Sequence, residues 1–219
     1  MTPEALAGQP KALALMPRRP DLTRDQFRTY YETRHTPLAL RYFKFRRYVR
    51  NHLLSAPEIG FDCVSEFWPR DLAATFALMQ TRVGERMHED ERRFADQPRI
   101  VSGLCTETLL AGAPRSDDDT GVTKLALLLR TPLDTAAAIG ALQAWATGGA
   151  GRARSVTLDS LIGMPHAGFP CDAILWLHAV DVERDVRLPS GIAVVGRALT
   201  RAEETSAAVL AVAGTETLG

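Results

Sequence analysis

The chain has 219 residues, of which 46% are hydrophobic and 24% charged, a composition typical of a globular protein with a substantial core. Its 26 basic and 26 acidic side chains give a formal net charge of zero, which argues against nucleic-acid binding through overall basicity. No apolar run reaches the ~18 residues of a membrane helix, and no secretory pattern opens the sequence, so we expect a cytoplasmic protein without membrane contact.

The first part of the chain alternates between strand and helix patterns. The predicted elements are a strand at 11–19, a helix from Thr23, strands at 45–54 and 61–68, helical segments at 69–82 and 83–98, and a strand at 99–110. Pro37 has no backbone N–H to donate, so we expect the first helix to bend or end near it. The order strand, helix, strand, strand, helix, strand is that of a ferredoxin-like fold.

The same pattern then starts again after a segment, 111–121, that has the composition of a linker. Residues 124–134 echo 11–21, and residues 170–185 echo 60–75. Between them lie a predicted helix and strand, and a last strand is expected in the tail.

A tandem duplication follows from this repetition. We predict an α+β protein of two ferredoxin-like βαββαβ repeats, at 1–110 and 122–219, with antiparallel sheets packed face to face as an α/β barrel. Sheet edges left open by this packing would favour a homodimer.

The two repeats differ in polarity at the first helix. The first repeat carries YYETRHTPLALRYF at 30–43, whereas the matching region of the second carries AWATGGAGRARS at 144–155. His35 therefore has no counterpart in the second repeat. Because a side chain needed for folding would be expected in both repeats, this asymmetry favours a functional site in the first.

Four motifs of the first repeat, taken in order, resemble a known family. RHTPLA at 34–39, YVRNHL at 48–53, FDCVSEFW at 61–68 and MHEDERRF at 87–94 resemble the EthD-type domain of the dimeric α/β barrel superfamily, over about residues 11–110. The resemblance implies a ligand cavity between sheet and helices, with no metal and no nucleotide cofactor. It also implies relatives that include cofactor-free lyases, dehydratases, decarboxylases, isomerases and monooxygenases, many acting on aromatic or polyketide substrates. Because the fold alone does not fix the chemistry, the site is argued from its residues.

His35 is the first catalytic candidate. An imidazole exchanges protons near neutral pH, and a helix end disturbed by Pro37 can direct it into the cavity. The structural alternative is a histidine that donates to a backbone carbonyl at the helix terminus. Tyr31 is a second catalytic candidate, as a proton relay beside His35, and Tyr30 can stack on an aromatic ligand or simply pack.

Two carboxylates on the third strand are candidates to orient His35 or to act as acid or base. Asp62 and Glu66 share one strand face, and a carboxylate beside apolar residues requires a partner. Asp62 is matched by Asp172 in the second repeat, which favours a structural role, whereas Glu66 is matched by Trp176. Glu66 is therefore preferred for chemistry.

The remaining candidates are assigned to substrate binding. They are Tyr30, Tyr48, Asn51, His52, Trp68, His88 and Arg93. Asn51 and His52 are adjacent on a strand and face opposite sides, so only one of them can face a given cavity. For His88, a metal site shared with His35 and Glu66 is an alternative, but the spacing matches no strong metal motif. Arg93 can clamp an anionic ligand or form an exposed ion pair.

The leading functional hypothesis is a cofactor-independent lyase or dehydratase that uses histidine acid–base chemistry on an aromatic or polyketide-like small molecule. Decarboxylation and isomerisation fit the same residues. Two alternatives stay open: a non-catalytic protein that binds a hydrophobic small molecule or assists an oxygenase, and a cofactor-free monooxygenase.

Overall fold

Segments rich in apolar residues build eight antiparallel strands that close into a barrel. The structure, a computed structural model, describes residues 11–54, 59–130, 136–149, 153–162, 168–179 and 186–216. The strands are β1 Lys11–Met16, β2 Phe45–Leu53, β3 Cys63–Pro69, β4 Val101–Gly112, β5 Thr123–Arg130, β6 Ser155–Leu161, β7 Ala173–His178 and β8 Ala193–Glu204. The α-helices are α1 Arg24–Tyr30, α2 Thr36–Tyr42, α3 Leu72–Met79, α4 Arg82–Glu91, α5 Ala136–Gly149 and α6 Ala207–Val212.

The strand order confirms the predicted α/β barrel. Around the ring it runs β1-β3-β2-β8-β5-β7-β6-β4, so each half of the chain contributes four neighbouring strands. The halves are joined by the β2–β8 and β4–β6 ladders, both antiparallel. These ladders pair the outer strands of both halves, so the ring of described strands has no open edge of the kind expected to favour a homodimer.

The two faces of the N-terminal sheet lie in different environments. On β3, Cys63 belongs to the apolar cluster beneath α1, α2 and α4, whereas Val64 and Trp68 belong to clusters inside the barrel. Because side chains alternate along a strand, Ser65 lies on the helix side and Glu66 inside the barrel. This alternation separates the candidate residues into two groups.

The helix that carries His35 continues past Pro37, where the sequence led us to expect a bend or an end. Thr23 caps α1 in a capping box with Gln26. A π-helical turn, Tyr31–His35, then joins α1 to α2, and the Thr36 N–H bonds to the Tyr31 carbonyl five residues back. The wider turn accommodates a proline that cannot donate to the preceding turn. It buries Tyr31 and His35 against the sheet.

The C-terminal half packs its own helix closely. Leu142 and Ala146 of α5 are buried in an apolar cluster with β5, β6 and β7. The second helix of the βαββαβ pattern predicted for this half would follow β7 and so falls partly in 180–185, outside the described residues. Helix α6 returns to the N-terminal half, where Leu210 packs into the cluster beneath α1 and α2. None of the described helices combines the length and apolar character needed to cross a membrane.

Candidate active site

A cavity of about 300 Å³ lies between the N-terminal sheet and helices α1 to α4. All of its lining residues fall between Ala12 and Ser102, so the first repeat alone forms it. Most of them are apolar, and the polar groups that the chemistry can use are Tyr31, His35, Tyr48, His88, Glu91 and Gln97. An apolar hollow with a few convergent polar groups is the usual form of a small-molecule site.

Helix α3 covers this cavity with a loosely packed apolar face. Leu72, Phe76 and Met79 line the cavity, yet no residue of α3 is buried, and Phe76 is 52% exposed. Part of the apolar surface of α3 is therefore left exposed to solvent by the rest of the protein. An apolar ligand in the cavity would contact it and remove that surface from water.

His35 is held from behind by a carboxylate. Its Nδ1 lies 2.9 Å from Asp90 Oδ2, and the Tyr30 hydroxyl donates to Asp90 Oδ1 at 2.9 Å. Burial raises the pKa of Asp90, but the hydrogen bonds from His35 and Tyr30 outweigh it and bring that pKa below its usual value. An ionised Asp90 can accept a hydrogen bond from Nδ1–H of His35, and the neutral tautomer that donates there has its lone pair on Nε2.

Two tyrosine hydroxyls form the inner wall beside His35. Tyr48 donates to the Tyr31 hydroxyl at 3.2 Å, and Tyr31 and Ser65 share a hydrogen bond of 2.7 Å. Burial raises the pKa of both phenols well above the usual value. Both therefore keep their protons at neutral pH and act as hydrogen-bond donors and acceptors, in contrast to a phenolate base.

Glu91, at the C-terminal end of α4, is a cavity carboxyl that the sequence reasoning did not select. Burial, with a further contribution from the Asp90 charge, raises its pKa to about 7, although a hydrogen bond with Gln97 opposes the shift. A carboxyl of this kind carries a proton for part of the time at neutral pH.

A helical pattern in the sequence could have identified Asp90 and Glu91. Val83, Met87, Asp90 and Phe94 are spaced by four, three and four residues, which places Asp90 on the buried face of α4. Glu91 is four residues after Met87, so the two lie on the same side of the helix. The high charge of MHEDERRF made the segment resemble a solvent-exposed helix, so this spacing was not used.

The structure places Glu66 away from His35, inside the barrel. Its carboxylate lies 2.6 Å from Lys11 Nζ and 2.6 Å from Arg115 Nη1, and 3.3 Å from Lys124 Nζ. Asn51 Nδ2 also donates to Glu66 at 2.8 Å. Burial raises the pKa of Glu66, but the surrounding cations lower it well below the usual value. The carboxylate that orients His35 is thus Asp90 in place of the predicted Glu66, because strand alternation turns Glu66 to the other face.

Three interior carboxylates are arranged like metal ligands around a lysine. Among the described residues, Glu66, Glu107 and Asp159 bring their oxygens within 4.8 Å of one another. Lys11 Nζ lies 2.7 Å from Glu107 and 2.7 Å from Asp159, so its ammonium supplies a positive charge among them. Trp68, predicted to bind substrate, lies here too, with its ring centre 4.6 Å from Lys11 Nζ.

Asp62 is also separate from His35. It lies 2.8 Å from Arg24 Nε and 3.3 Å from Arg18 Nε, at the start of β3. These ion pairs tie β3 to α1 and to the segment after β1. The alternative that Asp62 orients His35 is therefore replaced by an anchoring role.

The other predicted binding residues divide between the two faces. Tyr48 and His88 line the cavity, whereas Asn51 faces the barrel interior and Arg93 is exposed. His52 is on the helix side but outside the cavity lining, and its Nε2 lies 2.7 Å from Glu32.

The contacts of Glu32 with His52 and Arg50 can be tested through the pH dependence of the protein's stability. Burial raises its pKa, but hydrogen bonds with His52 and Arg50 outweigh it and lower the pKa to about 2. A carboxyl whose pKa is lower in the folded state than in the unfolded state stabilises the fold at pH values above its unfolded-state pKa. For Glu32 this stabilisation is lost as pH falls from about 4.5 towards about 2. We expect the Glu32→Gln variant to lose on the order of 2 kcal/mol of unfolding free energy at pH 7.

Denaturant titrations at several pH values measure this effect. The wild type should lose stability more steeply than Glu32→Gln between pH 4.5 and pH 2. Parallel pH dependences for the two proteins would contradict the assignment. Glu89→Gln, on the exposed side of α4, is the matched control.

Comparisons with known proteins agree with this architecture. Residues 19–98 match the model of the EthD domain family, within the range 11–110 that the motifs indicated. The chain is similar to the solved structure of an anthrone oxidase-like protein, with 9% identity over 93% of this chain and 95% of that chain and a TM-score of 0.57. A candidate chlorite dismutase gives 8% identity over 92% of this chain and 97% of that chain, with a TM-score of 0.50.

A candidate monooxygenase from Lactobacillus acidophilus NCFM has 10% identity over 90% of this chain and 94% of that chain, with a TM-score of 0.47. No curated protein sequence matches the chain. At these identities the likeness of the first two structures concerns the fold alone. Residues 19–98 are therefore similar to the EthD domain family, and the chain has the dimeric α/β barrel fold.

Proposed function

We propose that this protein is a cofactor-independent lyase of the dehydratase type, which acts by proton transfer on a small aromatic or polyketide-like molecule. The observation that carries the proposal is the 2.9 Å contact between His35 Nδ1 and Asp90, with His35 on the wall of an apolar cavity. A histidine held in this way presents Nε2 as a base, as in other enzymes in which a carboxylate fixes the tautomer.

The surrounding residues suit the removal of a proton from a carbon next to a carbonyl group. His35 Nε2 accepts the proton, and the electron pair moves to the carbonyl oxygen. The Tyr31 hydroxyl lines the same cavity and keeps its proton. With Tyr48 and Ser65 both donating to it, that hydroxyl supplies a hydrogen bond to the developing oxyanion. The apolar walls exclude water and strengthen these interactions.

Proton exchange into a simple ketone tests the proposal. Phenylacetone combines an aromatic body with acidic protons next to a carbonyl, and NMR follows their replacement by deuterium in D2O. We expect the protein, dialysed against EDTA, to accelerate this exchange above the buffer rate. Exchange at the buffer rate, despite binding of the ketone in a calorimetric titration, would overturn the base and favour the non-catalytic binding alternative.

Oxygenation is a second candidate because its first step is the same. A carbanion formed by His35 is also the species that reacts with O2 in a cofactor-free monooxygenase. The similarity in fold to an anthrone oxidase-like protein makes anthrone the appropriate probe. Oxygen uptake with anthrone, lost in His35→Ala, would support oxygenation over elimination.

A further inference from the structure

The cavity contains a second group able to carry a proton. His35 reaches it from the π-helical turn, and Glu91 reaches it from the end of α4. The adjacent residue, Asp90, holds His35 from behind and is not among the lining residues. One turn of α4 therefore orients the base and also presents a separate carboxyl to the ligand.

The surroundings of Glu91 favour its protonated form. The groups that act on the Glu91 carboxyl are Asp90, Arg92 and Gln97. The other titratable side chains of the cavity wall include His35 and His88. Burial and the Asp90 carboxylate disfavour a negative charge on Glu91, and together they outweigh the opposing effects of the Gln97 hydrogen bond and of Arg92. A carboxyl with a pKa of about 7 is a far better proton donor at neutral pH than Tyr31 or Tyr48, whose pKa values are raised.

We propose that Glu91 is the general acid that protonates a leaving hydroxyl group while His35 removes a proton from the neighbouring carbon, so that the substrate is a β-hydroxy carbonyl compound with an apolar body. This inference rests on the proposed function of His35. It narrows that function from proton transfer in general to the elimination of water.

The step is balanced in atoms and electrons. His35 Nε2 takes the proton from the carbon next to the carbonyl, and the electron pair of that C–H bond forms the new C=C bond. The C–O bond to the hydroxyl group breaks, and the hydroxyl leaves as water with the proton of Glu91. His35 ends protonated and Glu91 ionised. After release of the unsaturated carbonyl product, His35 gives its proton to solvent and Glu91 takes a proton from solvent, so both groups return to their starting forms.

The apolar lining agrees with this substrate class. Phe43, Phe45, Phe67 and Phe76 surround a space of about 300 Å³, which suits a planar or aromatic body. The product of dehydration is conjugated and flatter than the substrate.

The aldol of benzaldehyde and acetone is a suitable probe because its dehydration gives benzylideneacetone, which is followed by ultraviolet absorbance. We expect Glu91→Gln to dehydrate it at least ~100-fold more slowly than the wild type. Deuterium exchange into phenylacetone, which needs the base but no leaving-group acid, should fall far less than dehydration in this variant. Glu89→Gln, an exposed neighbour on the same helix, is the matched control and should match the wild type in both assays.

The outcomes separate the inference from the function on which it rests. Unchanged dehydration in Glu91→Gln, or an equal loss of dehydration and exchange, overturns the general acid while leaving His35 as the base. Exchange without dehydration in the wild type overturns the proposed substrate class. Loss of neither activity in His35→Ala overturns the proposed function itself.

A readout independent of turnover is the titration of the Glu91 carboxyl carbon by 13C NMR, assigned by its absence in Glu91→Gln. We expect a midpoint near pH 7. A midpoint below about pH 5, the range of an ordinary glutamate, would overturn the acid role.

Discussion

Replacement of His35 with alanine is expected to lower the rate of deuterium exchange into phenylacetone by at least ~100-fold. In the proposed reaction the imidazole receives the proton, and the contact of Nδ1 with Asp90 leaves Nε2 for that role. The neighbouring phenols cannot replace it, because burial keeps Tyr31 and Tyr48 protonated. NMR measurement of exchange in D2O checks this expectation.

The matched control for this experiment is Arg34→Ala. Arg34 is exposed on the same π-helical turn, so its removal tests for general disturbance of the helix. Because His35 is 5% exposed, His35→Gln serves as a second variant that fills more of the space than alanine. An exchange rate within about threefold of the wild type in both His35 variants would remove the histidine from the chemistry.

Replacement of Glu66 with alanine is expected to lower the free energy of unfolding by about 3–5 kcal/mol. Glu66 is completely buried and contacts Lys11, Arg115 and Lys124. Without its carboxylate, these buried cations lose a large part of their compensating charge. Denaturant unfolding followed by circular dichroism measures the loss.

The expected loss of unfolding free energy distinguishes a structural role of Glu66 from a catalytic one. Glu89→Ala, which removes an exposed carboxylate, should change the unfolding free energy by no more than about 0.5 kcal/mol. A Glu66→Ala protein as stable as the wild type, with exchange activity reduced by ~100-fold, would contradict the placement of Glu66 in the ion cluster and restore it to the chemistry.

The sequence predicted most strands well because they are short apolar or alternating runs, and two of them recur in the other repeat. It also predicted correctly that Glu66 and Trp68 share a strand face, where both lie against Lys11. Asp62, which precedes β3, pairs instead with Arg18 and Arg24. The sequence could not show which face takes the ligand, because helices cover one side of the N-terminal sheet and the other repeat covers the second. Both faces are therefore buried and both carry polar residues.

Long-range pairing explains the remaining differences. Arg115, from the segment predicted as a plain linker, reaches Glu66 at the barrel end, 49 residues away in the chain. The ion pair of Glu66 with Lys11 likewise joins two strands, β1 and β3, whose pairing register decides which side chains meet. No local pattern encodes such contacts, whereas the position of Asp90 was encoded in the helical spacing of α4.

The fusion of both half-barrels into one polypeptide has a consequence for evolution and stoichiometry. In an assembly of two identical chains, every substitution alters two equivalent hollows at once. Here the cavity lined by residues between Ala12 and Ser102 exists once per polypeptide, so calorimetric titration should saturate at one molar equivalent of ligand in that hollow. On the proposed function the other repeat contributes no residue to that hollow, so substitutions in it need only preserve the strands that complete the ring.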